Sequence, residues 1–143
     1  MKKHAQTTAL MAALVAGALT TGIAQAGNNS EAKVWADDQA VSEGTVTAKQ
    51  VTAEANGWLV VHRTGETMKP GPVVGYAPLK KGENMDVSAI LTEKVKSGDM
   101  LMLMVHAEDG GMKTGVFEYT LGAKEDGPIK NDGKLVMSTI TAK

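Results

Sequence analysis

Past its N-terminal stretch, the chain sets its apolar residues in short runs, broken about every ten residues by Gly, Pro, Asn or Asp. The spacing within the runs is that of strands. Ala32–Gln39, Gly44–Thr52, Gly57–Arg63 and Val73–Ala77 form the first four candidates, rich in Val, Thr and Trp. Asn84–Glu93 alternates most cleanly. Met85, Val87, Ala89 and Leu91 fall on one face, and Asp86, Ser88 and Thr92 on the other. Asp99–Ala107, Gly115–Leu121 and Lys134–Ala142 complete the set. Helical periodicity is weak. "SAILTEKVKSG" has a rough helical spacing, but Gly98 ends it and the alternation before it favours a strand. The count and spacing predict an all-β fold, an antiparallel sandwich of about seven or eight strands.

Residues 1–26 follow another pattern. Lys2 and Lys3 precede an apolar core, Ala9–Leu19, and "AQA" at Ala24–Ala26 is an A-x-A cleavage site. The apolar run is short of the roughly 20 residues that a membrane span requires. This reads as a cleaved signal peptide, which leaves residues 27–143 as one exported domain, periplasmic or extracellular, without a membrane span after cleavage. The domain is long enough to build its own core. It has to, because the chain contains no Cys and so no disulfide. The missing thiol also excludes blue copper, thiolate metal sites and thiol catalysis. With 15 Lys and Arg against 16 Asp and Glu, and no basic cluster, nucleic acid is not an expected partner.

One run combines strand character with candidate chemistry. In "DMLMLMVHAEDGGM", Asp99–Met112, alternation puts Met100, Met102, Met104 and His106 on one face and Leu101, Leu103 and Val105 on the other. Both faces are apolar, as in a central strand covered on both sides. In a chain with 1 Phe, 2 Trp and 2 Tyr, methionine is a natural filler of core volume. The functional alternative is a Cu(I) or Ag(I) site built from Met100, Met102, Met104, His106 and Met112, because thioethers and imidazole suit soft ions. The H-x-M pair of one periplasmic copper-chaperone family is absent: Glu108 and Thr64 stand two residues after His106 and His62.

Catalytic signatures are thin. Neither G-x-S-x-G nor H-E-x-x-H occurs. Ser88, Ser97 and Ser138 sit in no nucleophile elbow, and an enzyme would have to rest on His62, His106 and Asp109. Glu108, Asp109, Glu125, Asp126 and Asp132 lie in Gly-containing turns without EF-hand spacing, and read as turn formers. "LVVHRTG" and "LMVHAEDG" are alike, each an apolar run ending in Val-His before a turn, so His62 and His106 are expected to end their strands in comparable ways.

The ordered segments "ADDQ", "GTVTAKQVT", "GWLVVHR", "VVGYAPLKKGENMDVSAIL", "LMVHAEDGGMKTGVFEY" and "EDGPIKNDGKLV" resemble an uncharacterised family of exported prokaryotic domains, seen in halophilic archaea and bacteria. The resemblance runs from about Val34 to Ile140. Its most specific pieces are H-x-x-D-G (His106–Gly110), G-x-F-E (Gly115–Glu118) and D-G-P (Asp126–Pro128). It implies an immunoglobulin-like β-sandwich and export, and no activity. The Met face is not part of that pattern. In these pieces His106 is expected to bond Asp109 or a neighbouring loop, and Phe117 to plug the core.

The reading that follows is a non-catalytic exported domain with a binding or structural role in the cell envelope, meeting an envelope partner or a second copy of itself and using no cofactor. Copper is the alternative.

Overall fold

Strand-forming runs closed by tight turns leave the backbone one way to satisfy its polar groups, which is a sheet. The computed structural model describes residues 31–143, and among them there is no helix. The strands are β1 Lys33–Trp35, β2 Thr45–Ala53, β3 Gly57–Thr64, β4 Val73–Leu79, β5 Gly82–Leu91, β6 Met100–Ala107, β7 Lys130–Asn131, β8 Lys134–Leu135 and β9 Met137–Thr141. Seven of them form one sheet in the order β1-β2-β5-β4-β3-β6-β9, every ladder antiparallel, and β7-β8 is a separate hairpin. The chain is all-β. The signal-peptide reading of residues 1–26 lies outside the described residues.

The sheet curls until its two edges approach. Gln39 bridges Ala142, the Lys143 N–H donates to the Gln39 carbonyl at 2.9 Å, and the Thr141 N–H donates to Asp38 Oδ1 at 2.8 Å. One face is thereby enclosed, giving a sandwich-like fold. Val46, Ala48 and Val51 of β2, Leu59 and Val61 of β3, Ala89 and Leu91 of β5, Leu101, Leu103 and Val105 of β6 and Ile140 of β9 fill its core. Burying each Val, Leu or Ile among them is worth about 1.5–3 kcal/mol.

Three sequence expectations change here. Met85, expected on the inward face of β5, is 61% exposed. The cause is Asp86, whose φ of 51° is left-handed. It turns the pleat by one step, so Val87, Ala89 and Leu91 face inward while Met85 and Asp86 both face out. Opposite it, the alternation of β2 slips between Ala48 and Val51 in the same way. Gly115–Leu121 is not a strand. Gly115 and Gly122 bound it with φ of 80° and 84°, and the Glu118 N–H bonds to a carboxylate rather than to a ladder. The expected strand Lys134–Ala142 is broken at Val136, which bonds to Ile129 and Val105 instead.

Candidate functional site

β6 lies between β3 and β9, and its register against β3 decides which side chains meet. Trp58 faces His106, Val60 faces Met104, His62 faces Met102 and Thr64 faces Met100. Since β3 and β6 send Leu59, Val61, Leu101, Leu103 and Val105 into the enclosed core, alternation sends this second set to the opposite face. That face is also buried. Val60, His62, Met102, Met104 and His106 are at most 1% exposed. Over it lies the segment 108–128. Phe117 packs at 5.5 Å from Trp58 and 4.4 Å from Tyr76, and Tyr119 packs edge-on to His106 at 4.6 Å and to His62 at 5.8 Å between centroids. The expectation of a central strand covered on both sides holds.

At the centre of this layer the two histidines meet. The Nδ1 of His62 lies 2.8 Å from the Gly71 carbonyl, beside the register shift at Val61/His62, and the Nδ1 of His106 lies 2.7 Å from the Asp126 carbonyl. A carbonyl only accepts, so each Nδ1 carries the hydrogen. The two Nε2 atoms then present lone pairs, and they face each other at 3.3 Å, the rings stacked 28° apart. Neither neutral arrangement satisfies every nitrogen of the pair. Two lone pairs at that distance repel, and moving one hydrogen from Nδ1 to Nε2 sets a bare Nδ1 against a carbonyl oxygen. A third partner shared by the two Nε2 atoms would satisfy both lone pairs.

The surroundings disfavour an extra proton on either ring. Burial pushes the His62 imidazole below its usual range. For His106 burial dominates and brings the pKa down to about 4, against the opposing bond to the Asp126 carbonyl, with His62 lowering it further.

Asp126 fastens the covering segment. It is fully buried and sits at φ 46°, which Asp tolerates better than most residues. Its Oδ1 accepts the Asp109 N–H at 3.1 Å, its Oδ2 accepts the Glu118 N–H at 2.7 Å, and its own N–H donates to the Asp109 carbonyl at 2.8 Å. With its carbonyl on His106, one residue ties the end of β6, the loop and the imidazole together. The sequence marked Asp126 only as a turn former, and "D-G-P" was the sole signal for it.

The predicted site residues separate in space. Met102 and Met104 join the layer, and Met104 occupies the register position between the two histidines. Met100 does not join. It is half-buried between Thr64 and Thr141, about 20 Å along the strand from His106. Met112 does not join either, being 92% exposed on the covering segment. Of His62, His106 and Asp109, only the two histidines converge. Asp109 uses its backbone here, and its residue is exposed. His106 therefore finds the neighbouring-loop partner rather than Asp109. Phe117 plugs the covered second face, not the enclosed core. His62, which was not among the candidate metal ligands, is the residue that His106 meets. A surface groove lined by Trp35, Gln50, Asn131 and Lys134 shares no residue with this pair.

A family model described as "Domain of unknown function (DUF7282)" matches residues 32–143. No curated protein and no solved structure matches the chain.

Proposed function

We infer, for a chain that belongs to the DUF7282 family, that its role is binding rather than catalysis. The proposed role is that of an exported, immunoglobulin-like domain of the cell envelope whose binding element is the His62–His106 pair. The observation that carries this is the 3.3 Å Nε2–Nε2 approach with both Nδ1 hydrogens committed to carbonyls. Such a pair is built to share a cation. Both rings are 0% exposed, so no solvent-borne substrate touches either nitrogen while the 108–128 segment is in place, which favours retention over turnover. The signal-like residues 1–26 support export. Ile90, 75% exposed, and Tyr76 pair across β5 and β4, and support contact with an envelope partner or a second copy.

Native mass spectrometry of the purified protein, after incubation with Zn(II), Co(II) or Cu(I), tests the reading. One ion retained per chain for at least one metal, and lost in a His62→Gln/His106→Gln variant that keeps its β circular dichroism, is the expected result. No uptake of any of the three would contradict it.

A further inference from the structure

We propose that His62 and His106 hold one soft monovalent ion, Cu(I) or Ag(I), between their Nε2 atoms, with the Met104 thioether as the third donor. The proposal rests on the binding reading above and specifies the ligand.

The spacing fits first. Two imidazole–metal bonds of about 2.0–2.1 Å span the observed 3.3 Å at an angle of about 107°, a cis angle of a tetrahedral or trigonal site. Both rings are already turned for it, since each Nδ1–H is fixed by a backbone carbonyl, the usual outer-shell arrangement of a metal-bound histidine. A metal would enter without changing either tautomer.

The remaining donors choose the ion. Among the described residues no group of three His, Asp or Glu side chains comes together. The site therefore lacks the third imidazole or carboxylate that Zn(II) ordinarily takes, and the oxygen cage of Ca(II) or Mg(II). What the register supplies instead is sulfur. Met104 is 1% exposed and stands at the level between His62 and His106, and Met102 lies directly across from His62. Two imidazoles and a thioether form a soft set that selects Cu(I) and its congener Ag(I). Charge agrees. The neutral donors add nothing to balance an ion, and Asp126 is the single buried acidic residue of the described chain, so one positive charge is better matched than two. Tyr119 and Phe117 exclude water from above, which protects Cu(I) from oxidation in an exported protein.

An anaerobic competition titration against a chromogenic Cu(I) chelator tests this on the purified protein, with Zn(II) titrated in parallel. The variants are His106→Gln and Met104→Leu, the second chosen because it conserves volume and keeps the fold. One Cu(I) per chain is expected, held more tightly than Zn(II). Affinity should fall on the order of 10–100-fold in Met104→Leu, at least the loss seen when an outer-shell partner is removed. It should be abolished in His106→Gln. Zn(II) binding that equals or exceeds Cu(I), with Met104→Leu unchanged, would overturn the soft-ion assignment and leave the binding reading standing. Failure of every metal to bind would overturn both.

Discussion

His62 and His106 stand on neighbouring strands, two register steps apart, and lean together until their Nε2 atoms are 3.3 Å from one another. Each is held by a carbonyl from a different loop, at Gly71 and at Asp126. The pair thus reports on the closure of both loops as well as on whatever lies between the rings.

Stability of the metal-free protein should fall on acidification before ordinary carboxylates titrate. Both imidazoles have folded-state pKa values below the usual 6.5, His106 at about 4. The unfolded chain therefore binds more protons in this window, and stability rises with pH through it. The contribution is fully present above about pH 6.5 and is lost as pH falls toward 4. Facing groups are the Tyr119 ring and the Asp126 carboxylate, which opposes the shift of His106. For His106 the full effect is about 3 kcal/mol, taking 1.36 kcal/mol per unit. Urea midpoints measured between pH 7.5 and 4.5 should show this slope, and a His62→Gln/His106→Gln variant should flatten it.

Asp126→Asn should loosen the covering segment. The substitution keeps a side chain tolerated at φ 46°, but turns an amide toward a backbone N–H that now bonds a carboxylate oxygen. A lost charge-assisted bond costs about 1.5–3 kcal/mol. The expected signature is faster amide exchange and proteolysis within residues 108–128, with the β2–β5 ladder unaffected. Uniform destabilisation without loop opening would count against the fastening role.

Two glycines should respond very unequally to alanine. A Cβ at Gly57 would lie 2.3 Å from the His106 backbone oxygen, which cannot move without breaking the β3–β6 ladder. A Cβ at Gly111 would lie 2.0 Å from Glu118 Oε2, the end of a flexible side chain. Gly57→Ala should cost about 3 kcal/mol, the upper end for overpacking, and disturb the histidine pair. Gly111→Ala should cost about 1 kcal/mol or less, mainly the bond from the Lys113 N–H to Glu118. Thermal denaturation of the two variants separates them.

The two faces of β6 should answer differently to mutation. Leu103→Ala opens a cavity in the enclosed core and should cost about 2–5 kcal/mol. Met104→Leu conserves volume on the other face and should cost less than about 1.5 kcal/mol in the metal-free protein. Denaturant unfolding checks both. A larger loss for Met104→Leu would assign the methionine a packing role that leucine cannot fill.

Much of this architecture was legible in the sequence. The runs around Val46 and Ala89 alternate because one face of each meets the core, those around Leu59 and Leu103 are apolar on both faces, and they became β2, β5, β3 and β6. The two-sided burial of β6 followed from its two apolar faces. Met85 was misplaced because nothing local announces that Asp86 adopts a left-handed backbone. Phe117 and Tyr119 alternate as in a strand, yet no neighbouring strand offers them a ladder, so they cover the sheet instead. The Val-His pairs of β3 and β6 hinted at His62 and His106, though β3 runs on to Thr64. Their meeting was hidden, because it depends on β6 pairing with β3 rather than with its sequence neighbour β5, a choice made by the whole sheet. Asp126 was hidden for the same reason: its partners Asp109 and Glu118 lie 17 and 8 residues away.

Histidine side-chain ¹⁵N NMR during a titration with Ag(I), a redox-stable stand-in for Cu(I), tests the central claim most directly. Before metal, both rings should appear as neutral Nδ1–H tautomers. At one equivalent the Nε2 resonances of His62 and His106 should shift together, in slow exchange, while both Nδ1–H signals persist. If Ag(I) leaves the two Nε2 signals in place, the histidine pair is not a metal site and the account fails.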